Sequence, residues 1–418
     1  MPGKQWEKSS LCSRNGDRTA DVLDIVDKGE RDSMHFELTA EQLDLQARAR
    51  RFMDDEVLPN YQSWPLREED YGAELITWLN ATQEKYGINK INVPKEYGGR
   101  GLGAIEDVIV LTEIARCPRH IPGNAYSPWP AMYESSEAIK QKYLYPVLDG
   151  KTGWSLCFTE PGAGSDLSAM TTSAVRKGSN WVLNGRKLWH TEHALASYTA
   201  VAAVTDPSKG TRGISIFLVD HGTPGFRPVR QIPVLSRSWG VEEELELDNV
   251  VVPHENLLGE EGAGFAIAQH QFNRFRLRLG GSALGISERS QELAVAYAKE
   301  REVFGGKLGE NQAIQWMLTD NFYDIESIRW NTLHTAWLVD KLGYPAARLH
   351  VAAVKAYCID AGLRVVDRSM QVLGGRGLAV DDYPFGDFYG FLRMCKQMEG
   401  STEIMKIVMA REILGQRM

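Results

Sequence analysis

Apolar residues recur with two different spacings along this chain, and the spacing changes twice. From Thr39 the apolar positions follow a helical period as far as residue 53, and further helical stretches are predicted at 72–85 and 104–116. Thr39, with Gln42 three positions later, has the pattern of a reciprocally capped helix N-terminus. The first part of the chain is therefore predicted to be an all-helical domain.

Short runs of β-branched, aromatic or alternating apolar residues replace the helical period in the middle of the chain. Turn residues separate these runs, as at Asn184-Gly185, Asp206-Pro207 and Thr223-Pro224-Gly225. The pattern predicts a small β-barrel or sandwich. Its predicted strands are residues 154–159, 181–183, 198–204, 214–219 and 245–252.

Helical spacing returns after Pro253 in long segments, predicted at 263–301, 311–342 and 345–373, with a last helix at 401–413. Long helices with short connections are typical of an antiparallel bundle. The predicted fold class is therefore α+β. Its predicted parts are a loose or disordered N-terminal extension at 1–34, a helical domain at 35–152, a β domain at 153–256 and a helical bundle at 257–418.

Length and composition narrow the class of protein. The chain has 418 residues and a net charge of −8 with scattered basic residues, which argues against nucleic acid as a partner. Its five cysteines lie far apart with no Cys/His cluster, so we expect reduced thiols and no metal site.

The longest apolar stretch, 195–204, is about half the length of a membrane span. Residues 1–34 lack signal-peptide and transit-peptide features, so we expect a cytoplasmic protein without a membrane partner and take Met34 as a candidate start residue.

Two segments of the β region carry candidate ligand-binding chemistry. Residues 157–166 form a strand that enters a glycine-rich turn, whose backbone N–H groups and hydroxyls suit a planar ligand edge or a thioester chain. An ordinary hairpin loop is the alternative. On a later strand, Trp189 and Thr191 are two residues apart, which places an aromatic ring and a hydroxyl on one face. Taken alone, that tryptophan is more typical of a core.

Three further segments lie in the bundle. Arg301 has the planar guanidinium that binds pyrophosphate oxygens in pairs, and residues 312–315 follow on the next helix. The glycines of 371–377 allow close approach to a dinucleotide, although their spacing is not a Rossmann fingerprint. Glu399 places a carboxylate at the start of the last helix, where a solvated acid is the alternative.

In this order and spacing, the five segments resemble the acyl-CoA dehydrogenase family from about residue 35 onward. The resemblance implies a C-terminal four-helix bundle, an acyl-CoA substrate, an electron-transfer flavoprotein as electron acceptor, and FAD bound across the subunit interface of a homo-oligomer, either a dimer or a tetramer. Phe158 and Thr159 would hold the pyrimidine side of the flavin, while Trp189 and Thr191 would cover the ring and reach N5. The implied FAD-binding residues are Phe158, Thr159, Trp189, Thr191, Arg301, Phe304, Gln312, Gln371, Gly375, Ser401 and Glu403, and the implied substrate-binding residues are Ser165, Asn273, Arg276, Met398 and Gly400.

Glu399 matches the family's catalytic base. The resemblance implies that Glu399 removes the α-proton of the thioester while flavin N5 accepts the β-hydride, and that its backbone N–H helps to stabilise the thioester oxygen. A helix N-terminus favours the ionised carboxylate, whereas an apolar pocket raises its pKa, and we expect burial to dominate once substrate binds. Some family members carry the base on a bundle helix instead, but Phe275 stands at that position and accepts no proton.

Several residues depart from the family's common pattern and bear on substrate shape or redox tuning. The loop 121–130, rich in proline and aromatic residues, is a candidate floor for the acyl pocket and suggests a bulky, branched, cyclic or aromatic acyl group. A rigid surface loop is the equal alternative. A solvated helix face is the alternative explanation for Arg274, Arg276 and Arg278. The departures are Leu156, His190, Glu192, Asn273, Gly390-Phe391, Met398 and Ser401.

Two other functions stay open at this point. An acyl-CoA oxidase or a β-elimination enzyme would use the same fold with a different fate for the electrons. A non-catalytic regulator that binds acyl-CoA or nucleic acid is the alternative from another class. The presence of Glu399 and Arg301 argues against inactivity, and the net negative charge argues against DNA binding.

Overall fold

The computed structural model describes residues 37–122, 128–192, 195–238 and 241–416. The chain divides into two compact units, residues 1–43 and 44–418. In the described part of the first unit, Thr39 Oγ1 accepts a hydrogen bond from Gln42 N at 3.2 Å, and Gln42 Oε1 accepts one from Thr39 N at 3.0 Å. This reciprocal cap confirms the predicted helix start. The predicted extension 1–34, residues 123–127 of the proline-rich loop and the Glu192 side chain lie outside the described residues.

The three longer helices before the sheet pack around one apolar core, whereas the helices between residues 130 and 148 pack against the sheet. Leu45, Phe52, Val57, Leu79 and Ile114 are among the buried side chains of this core, supplied at helical spacing by the three longer helices. The helices predicted at 72–85 and 104–116 are confirmed within two residues at each end. The described helices are α1 (Ala40–Arg51) with a π-helical continuation (Phe52–Val57), α2 (Ala73–Tyr86), α3 (Ala104–Ile114), α4 (Pro130–Tyr133), α5 (Glu137–Ile139) and α6 (Tyr145–Leu148).

The middle region is one curled seven-stranded sheet. Its described strands are β1 (Gly153–Cys157), β2 (Ser173–Lys177), β3 (Asn180–Glu192), β4 (Ala196–Val204), β5 (Ile214–Asp220), β6 (Phe226–Ile232) and β7 (Val241–Pro253). The strand order is β1-β4-β2-β3-β7-β6, with β5 paired to β4. The long antiparallel pair of β3 and β7 positions the site residues that follow.

Two details of the predicted sheet are wrong. The sequence pattern misses β2 and β6, because exposed polar residues dominate both strands and remove the alternation on which the prediction depends. The pattern also places a turn at Asn184-Gly185, whereas β3 runs straight through it. Gly185 is needed there for close packing, since a Cβ atom would lie 2.4 Å from Thr172 Oγ1. The turns at Asp206-Pro207 and Thr223-Pro224-Gly225 do separate strands, as predicted.

The C-terminal region is a bundle of long helices around a second apolar core, which includes Ala283, Ile328, Val365 and Leu392. The predicted helices at 263–301, 311–342 and 401–413 are confirmed. The predicted helix 345–373 is interrupted by a π-helical turn at Val354–Cys358, and the pattern misses one helix of the bundle. The described elements are α7 (Gly264–Glu300), the β8–β9 hairpin (Glu302–Val303 and Gly306–Lys307), α8 (Gln312–Leu342), α9 (Arg348–Ala353), α10 (Ile359–Leu373), α11 (Phe385–Cys395) and α12 (Thr402–Ile413).

Three arginines of α7 are buried, which overturns their explanation as a solvated helix face. Each has a partner that compensates for lost hydration. Arg278 Nη1 donates to Asp107 Oδ1 at 3.0 Å, Arg274 Nη1 donates to the Pro128 carbonyl at 3.3 Å, and Arg276 serves the site below. Within the ranges that the structure describes, no helix is long and apolar enough to cross a membrane.

Candidate active site

Glu399 lies in the turn between α11 and α12, on a strained backbone. Its φ of 56° is in the left-handed region, which L-residues other than glycine rarely adopt, and Gly400 follows at φ 94°. Ser401 caps the next helix, because its hydroxyl accepts a hydrogen bond from Ile404 N at 3.3 Å. Such a backbone costs about 1–3 kcal/mol and persists only where its surroundings hold it.

Two buried cations hold this turn by its carbonyl groups. Arg276 Nε donates to the Glu399 carbonyl at 2.8 Å. Lys355, from the π-helical turn between α9 and α10, donates to the Lys396 carbonyl at 2.9 Å and to the Gly400 carbonyl. Lys355 is fully buried, and burial lowers its pKa to about 8. Three carbonyls of one short turn are therefore fixed by side chains from two other helical segments.

The Glu399 carboxylate lies in an environment that keeps it basic. Its Oε2 is buried and has no hydrogen-bond partner among the described residues. Burial raises the pKa of Glu399 to about 7, against the opposing effect of the positive charges of Arg276 and Lys355. Burial thus dominates, as expected, and it does so in the chain alone, before any substrate is considered. The alternative of a solvated acid is wrong.

The residues proposed to contact the flavin ring lie at the end of β1 and along β3. Leu188 N donates to the Thr159 carbonyl at 2.8 Å, and the buried Lys187 ammonium donates to the Phe158 carbonyl at 3.2 Å. Lys187 also pairs with Glu160 at 2.9 Å. Burial alone would raise the pKa of Glu160, but the Lys187 charge and neighbouring hydrogen bonds lower it to about 2. The buried ion pair of Lys187 and Glu160 therefore helps to hold residues 158 and 159 beside the segment 187–191 of β3.

Trp189 is the exposed member of this group. The pairing of β3 with β7 shifts between Leu188 and His190, and Trp189 adopts a φ of 61° in the resulting bulge. Its side chain is 49% exposed, so the alternative of a core tryptophan is wrong. The bulge also interrupts the regular alternation assumed for Trp189 and Thr191. The indole is turned out of the sheet, where it is available to a ligand.

Thr191 and His190 are each tied to the glutamates of β7. Thr191 Oγ1 donates to Glu242 Oε1 at 2.9 Å. His190, buried on the other face, lies 3.4 Å from Glu243 Oε2 and 3.1 Å from Thr199 Oγ1. Because Thr191 gives its only hydroxyl proton to Glu242, its oxygen can act toward a ligand only as an acceptor.

A second group of predicted cofactor residues lies on the surface of the bundle. Phe304, at the tip of the β8–β9 hairpin, is fully exposed with a φ of 52°. Arg301 and Gln312 are exposed beside it in the sequence, and Gln371 in the last turn of α10 and Gly375 after that helix are exposed as well. Among the described residues, the Arg301 guanidinium makes no hydrogen bond or ion pair. No described hydrogen bond, ion pair or ring contact joins this group to Glu399 or Trp189.

The remaining predicted site residues divide between the catalytic turn and the surface. Asn273 Oδ1 accepts a hydrogen bond from Arg276 Nη1 at 2.7 Å, so the asparagine supports the arginine that holds Glu399. Met398 packs against the bundle core. Ser165 is exposed on the loop after β1, and Glu403 is exposed on the first turn of α12. Asn273, Met398, Gly400 and Ser401 are thus brought together around Glu399.

The order of a helical region, a curled sheet and a helical bundle, together with the acid at Glu399, is that of a three-domain oxidoreductase. Family models of the acyl-CoA dehydrogenases match three consecutive parts of the chain: the N-terminal domain at 39–151, the middle domain at 155–250 and the C-terminal domain at 262–414. The chain belongs to the acyl-CoA dehydrogenase family.

Individual relatives agree with this assignment. The chain is 32% identical to the short-chain-specific acyl-CoA dehydrogenase of Clostridium acetobutylicum, covering 91% of this chain and 100% of the relative. It resembles the structure of butyryl-CoA dehydrogenase from Megasphaera elsdenii, with a TM-score of 0.80, 29% identity and coverage of 91% and 100%. A chain from a study of the electron transferring flavoprotein of Acidaminococcus fermentans has the same TM-score and coverage at 32% identity.

Members of this family are FAD flavoproteins, and the residues of this chain fit that cofactor. Trp189 and Phe304 present exposed aromatic faces, which suit contact with a flat ligand. The positions where Cβ atoms would stand at Gly374 and Gly375 have no atom within 4 Å, which leaves room for a nucleotide. Arg301 supplies a guanidinium suited to pyrophosphate.

Sequence patterns did not single out Lys355 or Glu242. Lys355 lies in an otherwise apolar helical run, Val351 to Ala356, and this isolated charge at a core position is the signal that marks it. Glu242 belongs to three successive glutamates on β7, all buried although a strand normally exposes alternate residues. That triplet is typical of a site in which acids serve other side chains.

Proposed function

We propose that this protein catalyses the FAD-dependent α,β-dehydrogenation of an acyl-CoA thioester, with Glu399 as the base that removes the α-proton. The observation that carries the proposal is the buried Glu399 carboxylate, whose Oε2 has no partner among the described residues and whose pKa is raised to about 7 by burial. A base is most effective when its pKa lies near the working pH. At neutral pH a substantial fraction of Glu399 is therefore ionised and able to accept a proton.

Positioning of Glu399 supports the same role. The carbonyls of its turn are fixed by Arg276 and Lys355, so the carboxylate is held by the main chain and does not depend on an ion pair of its own. Among the backbone hydrogen bonds of the described residues, none uses the N–H of Glu399. That N–H remains available to stabilise the thioester oxygen as charge develops, a contribution typically worth about 3–4 kcal/mol.

Residues of β1 and β3 would hold the flavin. Bound FAD supplies the acceptor for the β-hydride. Trp189 would cover the ring, Thr191 would accept a hydrogen bond at its edge, and the segment at Phe158 and Thr159 would line its pyrimidine side. We also propose that Ser165 and Arg276 contact the acyl-CoA. The tie between Arg276 and the Glu399 carbonyl brings such a contact next to the base.

We also propose a homo-oligomer, which the separation of the two groups of cofactor residues supports. Arg276 lies in the first half of α7, and Arg301 directly follows the last residue of this helix. Twenty-five residues of α-helix span about 37 Å at the usual rise per residue. This separation supports binding of the two groups to different FAD molecules. Arg301, Phe304 and Gln312 would therefore contact the FAD of a neighbouring subunit, as would Gln371 and Gly375.

We propose an electron-transfer flavoprotein as the electron acceptor, in line with the structural likeness to a chain from the study of the A. fermentans flavoprotein. Reduction of the purified protein by an acyl-CoA under anaerobic conditions tests both steps. The flavin should lose its yellow colour with substrate and regain it rapidly with the acceptor protein but slowly in air. Rapid recovery in air would indicate an oxidase, and product formation without bleaching would indicate β-elimination.

A further inference from the structure

A cavity of about 180 Å³ lies between the N-terminal helices and the bundle. Its walls include Phe275 from α7, Phe391 from α11, Arg119 from the segment after α3, and Ser236, which lies between β6 and β7. Two of these elements, α7 and α11, also contribute to the candidate active site. Phe275 precedes Arg276, which bonds the Glu399 carbonyl, and α11 leads directly into the catalytic turn.

Residues that depart from the family pattern shape this cavity. Phe391 forms part of the wall, and Gly390 permits the backbone at Ser236 to approach α11. A Cβ atom at position 390 would lie 2.9 Å from Ser236 Cα. Any larger residue at Gly390 would push the 235–236 segment away. Gly390 therefore allows Ser236 to lie in a wall of the cavity, to which Phe391 also contributes.

Three polar groups in the cavity wall have unused hydrogen-bonding capacity. Ser236 Oγ, Asp387 Oδ1 and Arg119 Nε are buried without a hydrogen-bond partner in the part of the chain that the structure describes. Ser236 and Asp387 are each only 3% exposed. Buried polar groups of this kind are normally satisfied, so three in one cavity indicate a ligand that supplies the missing bonds.

The types of unused group select the ligand chemistry. Asp387 offers an acceptor, Arg119 a donor and Ser236 either, and a hydroxyl group satisfies both kinds at once. An alkyl chain satisfies none of them. A carboxylate on the ligand would be repelled by the negative charge of Asp387. The nearby arginines already have acidic partners, since Arg119 lies 3.6 Å and Arg237 3.4 Å from Asp387. Arg237 also pairs with Asp381.

Resting on the proposed function, we infer that the acyl group of the substrate is compact and carries a hydroxyl that binds among Ser236, Asp387 and Arg119. The cavity volume fits this group, because a cavity of about 150 Å³ holds a benzene ring. A long straight chain does not fit such a volume. The inference agrees with the bulky acyl group suggested by the 121–130 loop, and it adds that this acyl group carries a polar hydroxyl.

Matched thioesters test the inference on the FAD-loaded protein. Hexanoyl-CoA and octanoyl-CoA are compared with their ω-hydroxy forms and with adipoyl-CoA. The value of kcat/KM is measured with the native protein. Binding is measured by calorimetry with Glu399→Gln, which does not consume the thioesters. We expect an ω-hydroxy ester to exceed its unsubstituted partner by about 10-fold or more in both measurements, since an unpartnered buried group disfavours the analogue that lacks its bond. Ser236→Ala should reduce this preference at least about threefold.

Ser179→Ala, at an exposed turn before β3, is the matched control and should keep the full preference. The inference would be overturned if both hydroxylated esters bound no more tightly than their unsubstituted partners. It would also be overturned if adipoyl-CoA bound most tightly, because that result would indicate a carboxylate-binding pocket. Failure of the proposed function is distinguishable, because no thioester would then be oxidised by the native protein. Oxidation of hexanoyl-CoA without any hydroxyl preference would overturn this inference alone.

Discussion

Arg276 binds the main chain of Glu399, whose carboxylate Oε2 has no hydrogen-bond partner among the described residues. The guanidinium Nε donates to the Glu399 carbonyl at 2.8 Å, and the two side chains form no ion pair. A direct ion pair would lower the pKa of the carboxyl and weaken it as a base. The arrangement instead fixes the position of Glu399 while burial raises its pKa to about 7.

Replacing Arg276 should alter the pH dependence of the reaction. Its positive charge lowers the pKa of Glu399 against the larger effect of burial, so Arg276→Gln should raise that pKa further. The acid limb of kcat at saturating acyl-CoA should move to higher pH, by up to about one unit. Arg276→Lys retains the charge and serves as the control. An acid limb that does not move in Arg276→Gln would contradict this electrostatic account.

Lys355→Met should reduce turnover without removing the flavin. The substitution leaves the Lys396 and Gly400 carbonyls without their donor, and an unsatisfied buried group costs about 1–3 kcal/mol. The strained turn should relax and displace Glu399, with kcat reduced about 10-fold or more. Flavin content and kcat are measured together. Lys341→Met, at an exposed position of α8, should change neither, and full activity of Lys355→Met would contradict the positioning role.

Glu399→Gln should stabilise the folded protein above neutral pH. The carboxyl pKa rises from 4.5 in the unfolded chain to about 7 in the folded one, so the folded state binds more protons and stability falls as pH increases between these values. Gln does not titrate and avoids a penalty of about 3 kcal/mol. Thermal unfolding of the flavin-loaded proteins at about pH 5 and about pH 8 measures the difference, which should be larger at the higher pH.

Glu403→Gln provides the contrast for that experiment. Hydrogen bonds from its own backbone N–H and from Ser401 lower the pKa of Glu403, so the ionised form of Glu403 favours folding. Its replacement should not stabilise the protein at any pH. Equal gains from both substitutions would show that removal of any negative charge near α12 is stabilising, and that burial of Glu399 is not the cause.

Glu242 should tune the flavin through Thr191. Glu242→Ala removes the acceptor of the Thr191 hydroxyl, whereas Glu242→Gln removes the charge and keeps an acceptor. The difference between the two midpoint potentials isolates the hydrogen bond. A bond of about 1 kcal/mol corresponds to about 20 mV for a two-electron couple. Identical potentials in the two variants would show that Thr191 is held by other contacts.

The sequence predicts the parts of this protein in which one physical signal dominates. The long helices of the bundle follow from their period, and the cap formed by Thr39 and Gln42 follows from local chemistry. The segment around Glu399 also predicts this residue as the catalytic base, and the structure buries its Oε2. These features depend on residues close together in the chain.

Features that depend on distant contacts were missed or misjudged. The buried state of Arg274 and Arg278 depends on partners more than a hundred residues away, at Pro128 and Asp107. The exposure of Trp189 depends on a shift in register between β3 and β7. No local pattern encodes either relationship. The close approach of Ser236 to α11 likewise depends on Gly390, which is more than 150 residues away in the chain.

Release of deuterium from the α-carbon of a labelled acyl-CoA tests the assignment of Glu399 most directly, because it reports on proton removal alone. The FAD-loaded protein and its Glu399→Gln variant are compared under anaerobic conditions, with flavin content measured in both. We expect the native protein to release the label into water and the variant to lose this activity by about 10³-fold or more while keeping its flavin and its affinity for the thioester. Release at the native rate from Glu399→Gln would contradict the account.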